Sequence, residues 1–330
     1  MEDKYHRRID YARISVTDRC NLRCRYCMPE HGIQKLRRED ILSHEEILRI
    51  VRLFAALGVR KIRLTGGEPL VRADIARLVR GIKSTNGIGQ VMLTTNGVLL
   101  PIYAKELMQA GLDGVNMSLD TLDERVFSAL SRRRLLPRVL DGLSRLMQSG
   151  CKNIKLNCVP LAGINDGDIV SLAGLARAHD IKVRFIGLMP MGCGFASGCR
   201  GIPMKDVRQS IENTYGALLP VPRSTDHAEG PATYFSLPGF RGQIGFIDAV
   251  THKFCPGCNR IRLTAEGFLK LCLHARAGLD LRKLLRSGCS DAALGTAIRQ
   301  AVYNKPREHS FLARHETEPA DTRQMYQIGG

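Results

Sequence analysis

The sequence predicts an α/β fold: an incomplete (β/α)6 TIM-like barrel followed by a β-containing C-terminal extension. Three observations predict it. Short β-rich runs recur between helical stretches. Those runs alternate apolar and polar residues at period two. Near residue 225 the alternation gives way to a proline- and glycine-rich stretch and then to new strand-like runs, GQIGFID and RIRLT.

The strand runs, in order, are RISVT (13–17), KIRLTGG (61–67), QVMLTTNG (90–97), GVNMSLD (114–120), IKLNCVPL (154–161) and KVRFIGLMP (182–190). Between the first two, residues 44–57 place Ile47, Ile50, Val51, Phe54 and Leu57 on one helical face. Ser43 and Glu46 form a capping box at its start, and Gly58 ends it. A later helix, 122–130, opens with Thr121 and Glu124 in the same arrangement. Alternating strand and helix implies a parallel sheet with right-handed crossovers. Six units are two short of the complete eight-unit barrel.

Parallel strands covered on both faces usually read as unbroken apolar runs; these do not. One face carries Ile14, Val16, Ile62, Leu64, Val91, Leu93, Val115, Met117, Ile154, Leu156, Val183 and Phe185, and should meet the helices. The other carries Arg13, Lys61, Arg63, Thr94, Asn116, Ser118, Asp120, Lys155, Asn157, Lys182 and Arg184. A barrel built this way has a cationic interior suited to a large anion, with about two of the six strand cations, Lys182 first, expected in solvent at strand ends. The division predicted is a core over 1–225 and an extension over 226–330. The glycine-rich run 192–202 reads as a mobile loop, and the polar tail ends in Gly329–Gly330.

The chain has 330 residues, of which 44% are hydrophobic, and no run approaches the ~20 apolar residues of a membrane span. Its charged first residues hold no apolar signal core, so the expected location is the cytoplasm, where cysteines serve as thiolates rather than disulfides. The net charge of +17 attracts anions. Aromatics at 5% and the absence of Trp argue against a stacking platform for nucleic acid. The runs YHRRID and SRRRLLPR read as solvated basic faces.

Eleven cysteines carry the chemistry. Cys20, Cys24 and Cys27 form C-x3-C-x2-C directly after the first strand, at the end of a barrel where active sites lie. Three thiolates can hold three irons of a four-iron cluster and leave the fourth open to a ligand. Structural zinc more often takes four protein ligands. Cys255, Cys258 and Cys272 form a second triplet, with His252 and His274 near enough in sequence that zinc remains open there. The second strand ends in T-G-G-E-P (65–69), two glycines that admit close backbone approach and a glutamate that accepts hydrogen bonds.

With CNLRCRYC (20–27) beside GGEP, LTTNG (93–97), VNMSLD (115–120), VRFIGLMPMG (183–192) and CPGCNRIRLT (255–264), nearly the whole chain resembles the radical S-adenosylmethionine enzymes. Within them it is similar to the GTP 3′,8-cyclases of molybdenum cofactor biosynthesis. The resemblance implies two [4Fe–4S] clusters, one on each cysteine triplet. The first would chelate S-adenosylmethionine, with Tyr26, Gly67, Ser118, Met189 and Arg184 around that cofactor. The second would bind the guanine base of GTP, held by Arg13, Lys61, Arg63, Thr94, Lys155, Arg260 and Arg262. Arg260 and Arg262, with Gly329 and Gly330 of the tail, are the residues implied in catalysis. The reaction implied is hydrogen abstraction at ribose C3′ by a 5′-deoxyadenosyl radical, then bonding of C3′ to C8.

Partners implied are GTP, an outside electron donor and a following pathway enzyme that receives the product, with no membrane and no nucleic acid. The sequence leaves oligomeric state open, a homodimer included. Gly187 departs from the acidic residue many relatives carry. Cys193 and Cys199 match no ligand position, Cys151, Cys158 and Cys289 read as incidental thiols, and NKPREHSF receives no role. Two other readings remain: a radical enzyme acting on a peptide, against which the cationic face argues, and a basic metal-bearing nucleic-acid binder, which leaves GGEP unexplained.

Overall fold

The six expected strands form, in chain order, the middle of one sheet. They are β1 (Tyr11–Ser15), β2 (Lys61–Thr65), β3 (Gln90–Thr95), β4 (Gly114–Ser118), β5 (Ile154–Cys158) and β6 (Lys182–Ile186), all parallel. The computed structural model describes residues 1–190, 198–222, 230–250, 252–309 and 323–329. Residues 191–197, Cys193 of the glycine-rich run among them, and Gly330 lie outside the described residues.

The C-terminal part is built into the same sheet. Strand β9 (Gln243–Ile247) lies parallel beside β6, and β10 (Arg260–Leu263) lies parallel beside β1. Eight strands therefore run parallel, two of them drawn from the region read as an extension. Antiparallel strands continue each edge: β8 (Thr233–Ser236) and β7 (Leu219–Pro220) beyond β9, β11 (Phe268–Lys270) and β12 (Gly278–Asp280) beyond β10.

Among the described residues, α1 (His44–Ala56), α2 (Ile75–Lys83), α3 (Leu100–Gln109), α4 (Glu124–Ser131), α5 (Leu136–Gln148) and α6 (Ile169–Ala178) follow β1 to β5, and α7 (Met204–Tyr215) follows β6. The apolar strand face packs against them in one continuous core, joining Ile62, Val91, Val115 and Val183 to Ile50, Phe54, Val79, Leu107 and Leu143. Burying each such side chain is worth about 1.5–3 kcal/mol. At the start of α1 the Ser43 hydroxyl accepts from Glu46 N at 3.1 Å, and the Glu46 carboxylate accepts from Ser43 N at 2.7 Å.

Helix α4 is capped differently from the expectation. It starts at Glu124, so Asp123 occupies the cap and accepts from the N–H groups of Arg125 and Val126 at 2.7 and 2.9 Å. Thr121 instead donates to Asp168 at 2.6 Å. Among the described residues no helix is long and apolar enough to cross a membrane.

Candidate active site

The first cysteine triplet follows β1 and is braced from beneath by the GGEP turn. A Cβ on Gly67 would fall 2.4 Å from Arg19 O, and one on Gly66 2.7 Å from Thr17 O, so only glycine lets the two backbones cross. The close approach is thus first to the cysteine loop itself, although Gly67 also faces the cavity described below. Gly67 N and Glu68 N donate to Thr17 O and Arg19 O, both at 2.8 Å. The Glu68 carboxylate, fully buried, accepts from Thr95 Oγ1 and Asn96 N at 2.7 Å and from Leu70 N at 3.0 Å. Burial raises its pKa to about 7. One carboxylate therefore ties GGEP to LTTNG, and Asn96 in turn donates to Asn21 at 2.7 Å.

Tyr26 donates from its hydroxyl to Asp120 at 2.7 Å, linking the cysteine loop to the end of β4. Arg132 of the SRRR run, expected in solvent, instead donates to Arg23 O at 2.9 Å and braces the same loop. Burial and then Glu68 push the Cys20 thiol up to about 11, and burial likewise raises Cys24 well above the ordinary thiol value.

The polar strand face forms the wall of a cavity of about 360 Å³, and both cysteine triplets line it. Register sets the cations side by side: Arg13 stands opposite Arg63 on one neighbouring strand and Arg262 on the other. Lys61, Arg63, Arg184 and Arg262 are each less than a tenth exposed, so this is an interior rather than a solvated face. Like charges directly across a ladder disfavour the empty fold. Burial, then Arg184 and Arg63, bring the pKa of Lys155 down to about 7, and burial with Arg260 brings Arg262 down to about 10. An anion in this space relieves that strain.

Thr94, Ser118 and Met189 line the same cavity, with Arg260 above the ring of Phe254 at 4.8 Å. Arg184 donates to Asn157 Oδ1 at 2.9 and 2.5 Å. Lys182 stands outside it, its ammonium 4.7 Å from the Tyr234 ring. Asn116 Oδ1 is buried without a hydrogen-bond partner, an acceptor left for a bound group. The tail enters beside β10: Gly329 O accepts from Arg262 Nη1 at 2.9 Å. Gly329 has φ +78°, and a Cβ there would meet Thr65 Oγ1 at 2.1 Å.

Tyr11 was missed by the sequence reading. It lies two residues before Arg13 on the same face, and Arg63 Nε donates to its hydroxyl oxygen at 2.5 Å. Burial opposes ionisation, but Arg63, Arg13 and Lys61 outweigh it and bring the phenol down to about 7. The signal was available, because β1 begins at Tyr11 and not at Arg13.

The second triplet spans two elements. Cys255 and Cys258 sit in a turn before β10, and Cys272 follows β11. Cys258 is pulled down to about 7: burial opposes this, and Lys305 and Arg260 outweigh it. Arg7 of YHRRID is not solvated. It pairs with Asp3 at 2.7 Å and donates to Cys255 O at 3.0 Å, Arg307 O at 2.8 Å and Pro306 O at 2.6 Å. His252 turns to Asp248 at 3.6 Å and faces a neighbouring cleft with Cys199. Among the described residues no group of three His, Cys, Asp or Glu closes on a single metal ion. Cys151 and Cys158 are buried and Cys289 half-buried, apart from the cavity. A Cβ on Gly187 would lie 3.8 Å from the Asp248 carboxylate.

Residues 14–176 match the Radical SAM superfamily, and residues 181–311 match Molybdenum Cofactor Synthesis C. A GTP 3′,8-cyclase of Clostridium perfringens (strain SM101 / Type A) is 43% identical over 330 residues, covering 100% of both chains. The chain belongs to the GTP 3′,8-cyclase family. Other family relatives named GTP 3′,8-cyclase, from Syntrophomonas wolfei and Heliobacterium modesticaldum, are 42% and 44% identical with 100% of each chain covered. Among solved structures, Streptococcus suis SuiB bound to S-adenosylmethionine aligns with TM-score 0.60 at 16% identity, over 88% of this chain and 67% of that one. That likeness concerns the fold alone. As a radical SAM enzyme, the chain works with a [4Fe–4S] cluster and S-adenosylmethionine. The donor chemistry fits: three thiols of one loop reach the cavity, and no fourth cysteine joins them in the sequence of that loop.

Proposed function

We propose that this enzyme converts GTP to (8S)-3′,8-cyclo-7,8-dihydroguanosine 5′-triphosphate, the first step of molybdenum cofactor biosynthesis. The observation that carries the reading is one cavity with a three-cysteine set at each end and a wall of buried cations between them. When bound, the cluster on Cys20, Cys24 and Cys27 with S-adenosylmethionine would supply a 5′-deoxyadenosyl radical to remove the C3′ hydrogen; C3′ would bond to C8 at the expense of the C8–N7 double bond, and one electron from the separate donor with one proton would complete the dihydro product.

The chain's own residues bind, orient and exclude water. Tyr26, Gly67, Ser118, Met189 and Arg184 surround the S-adenosylmethionine end. Arg13, Lys61, Arg63, Thr94 and Lys155 hold the triphosphate, whose roughly four negative charges match guanidinium and ammonium groups. Cys255, Cys258 and Cys272 hold a second [4Fe–4S] cluster that receives the guanine base. Arg260 and Arg262 stand by the purine, Gly329 closes the site through its contact with Arg262, and Gly330 shares in catalysis as the family resemblance implies. In this reading residues 1–225 form the radical core and 226–330 the substrate-binding part. The enzyme is cytoplasmic, takes electrons from a separate donor and hands its product to the next pathway enzyme.

The test is 5′-deoxyadenosine formation by anaerobically reconstituted protein with S-adenosylmethionine and a strong reductant, with and without GTP. Strong stimulation by GTP, matched by GTP loss, is the expected result. Slow cleavage indifferent to GTP would remove the substrate and bring a peptide substrate forward.

A further inference from the structure

A lysine that received no role in the sequence sits at the second cysteine set. Lys305 is 2% exposed and lines the cavity with Cys258 and Cys272. Its ammonium donates to Leu271 O, the carbonyl next to Cys272 in the chain. Among the described residues no carboxylate pairs with it; burial disfavours its ammonium, and Cys258 and Cys272, which line the same cavity, favour it when they are thiolates. A buried cation held without a carboxylate is costly unless another anion compensates it.

The segment that carries it is fixed from outside. Arg7 gathers the carbonyls of Cys255, Pro306 and Arg307 on one guanidinium, and Asp3 holds that guanidinium in place. Lys305 thus reaches the far end of the triplet while Arg7 grips the near end. The chain places two buried cations here, both donating to backbone carbonyls of the segments that carry the triplet, with Lys305 also in the cavity wall beside Cys258 and Cys272.

We infer that Lys305 is the counter-cation of the iron–sulfur cluster on Cys255, Cys258 and Cys272, a positioning residue that raises the cluster's reduction potential. This rests on the second-cluster reading above. The physical reason is simple. A thiolate-bound cluster becomes more negative on reduction, and a fixed positive charge in a dry site favours the more negative form. Removing the charge makes the cluster harder to reduce.

The experiment isolates the second cluster by replacing Cys20, Cys24 and Cys27 with Ala in the full chain. Iron content and an anaerobic potentiometric titration followed by electron paramagnetic resonance are then compared for Lys305, Lys305→Met and Lys305→Arg. About four irons per chain in the parent establish the cluster; none would overturn the second-cluster reading itself. With iron present, a midpoint moved to more negative potential in Lys305→Met and restored toward the parent in Lys305→Arg is the expected result. Iron lost in Lys305→Met but kept in Lys305→Arg supports the same role. An unmoved midpoint in Lys305→Met, or equal failure of both variants, overturns the counter-cation and leaves Lys305 a structural prop.

Discussion

The two cysteine triplets face one cavity from surroundings of opposite sign. The first is a single loop whose neighbours include the acids Glu68 and Asp120; burial first, and those acids after it, hold its Cys20 and Cys24 thiols above their usual range. The second is spread over two elements, backed by Lys305 and Arg260, and its Cys258 thiol is drawn down to about 7. An electron added near acids meets repulsion, and one added near cations meets attraction. The contrast suits a strongly reducing centre at one end and a base-receiving centre at the other, which is the division of labour proposed above.

The sharpest way to break this contrast is to remove one thiol from each set. Cys24→Ala should lower 5′-deoxyadenosine formation by at least about a thousandfold. Cys258→Ala should leave basal cleavage of S-adenosylmethionine in place and remove its response to GTP. Chromatography of both products on each variant decides it, and equal loss in both would erase the distinction. Next in size, Arg262→Ala should cost cyclisation about 10²–10³-fold. Absorbance of the first cluster should stay unchanged in that variant, and undiminished turnover would contradict the assignment.

A smaller effect concerns protons. In the free enzyme Lys155 has its pKa lowered to about 7 by burial and by Arg184 and Arg63. A bound triphosphate favours the ammonium and raises that value. Between the two values binding takes up a proton, so affinity for GTP falls as pH rises above about 7, at most tenfold per pH unit for one group. The phenol of Tyr11, also at about 7, moves in the same direction because an added anion disfavours phenolate. Calorimetry at pH 8 in two buffers of different ionisation heat should show proton uptake, reduced in Lys155→Met but not abolished. Smallest is Gly329→Ala. A side chain at φ +78° is strained by about 1–2 kcal/mol and would strike Thr65. Roughly tenfold slower turnover with an unchanged melting temperature is expected; full activity would detach the tail from the site.

Much of this site was legible because the strands alternate. Period two sorts Arg13, Lys61, Arg63 and Lys155 from Ile14, Ile62 and Leu64 without any structure, and the cysteine spacings mark both triplets. What escaped depended on distant chain segments. Arg7 looked like a solvated charge because the carbonyls that bind it lie about three hundred residues away in sequence. Arg132 looked solvated because its acceptor belongs to the cysteine loop. Strands β9 and β10 were read as strands, but no local pattern says that they will bracket β6 and β1. Asp123 displaced Thr121 as a cap because the helix starts two residues later than the hydrophobic pattern suggests.

The placement of β9 and β10 also bears on how the enzyme is made. The cavity wall begins with residues near the start of the chain and is closed by strands from its last third. A ribosome has therefore produced every residue of the first cysteine loop long before the opposite wall exists. A nascent chain at that stage has a place for the first cluster and no shelter around it. Loading of that cluster after release of the full polypeptide is the expected order, and truncated chains are the forms expected to accumulate oxidised cysteine.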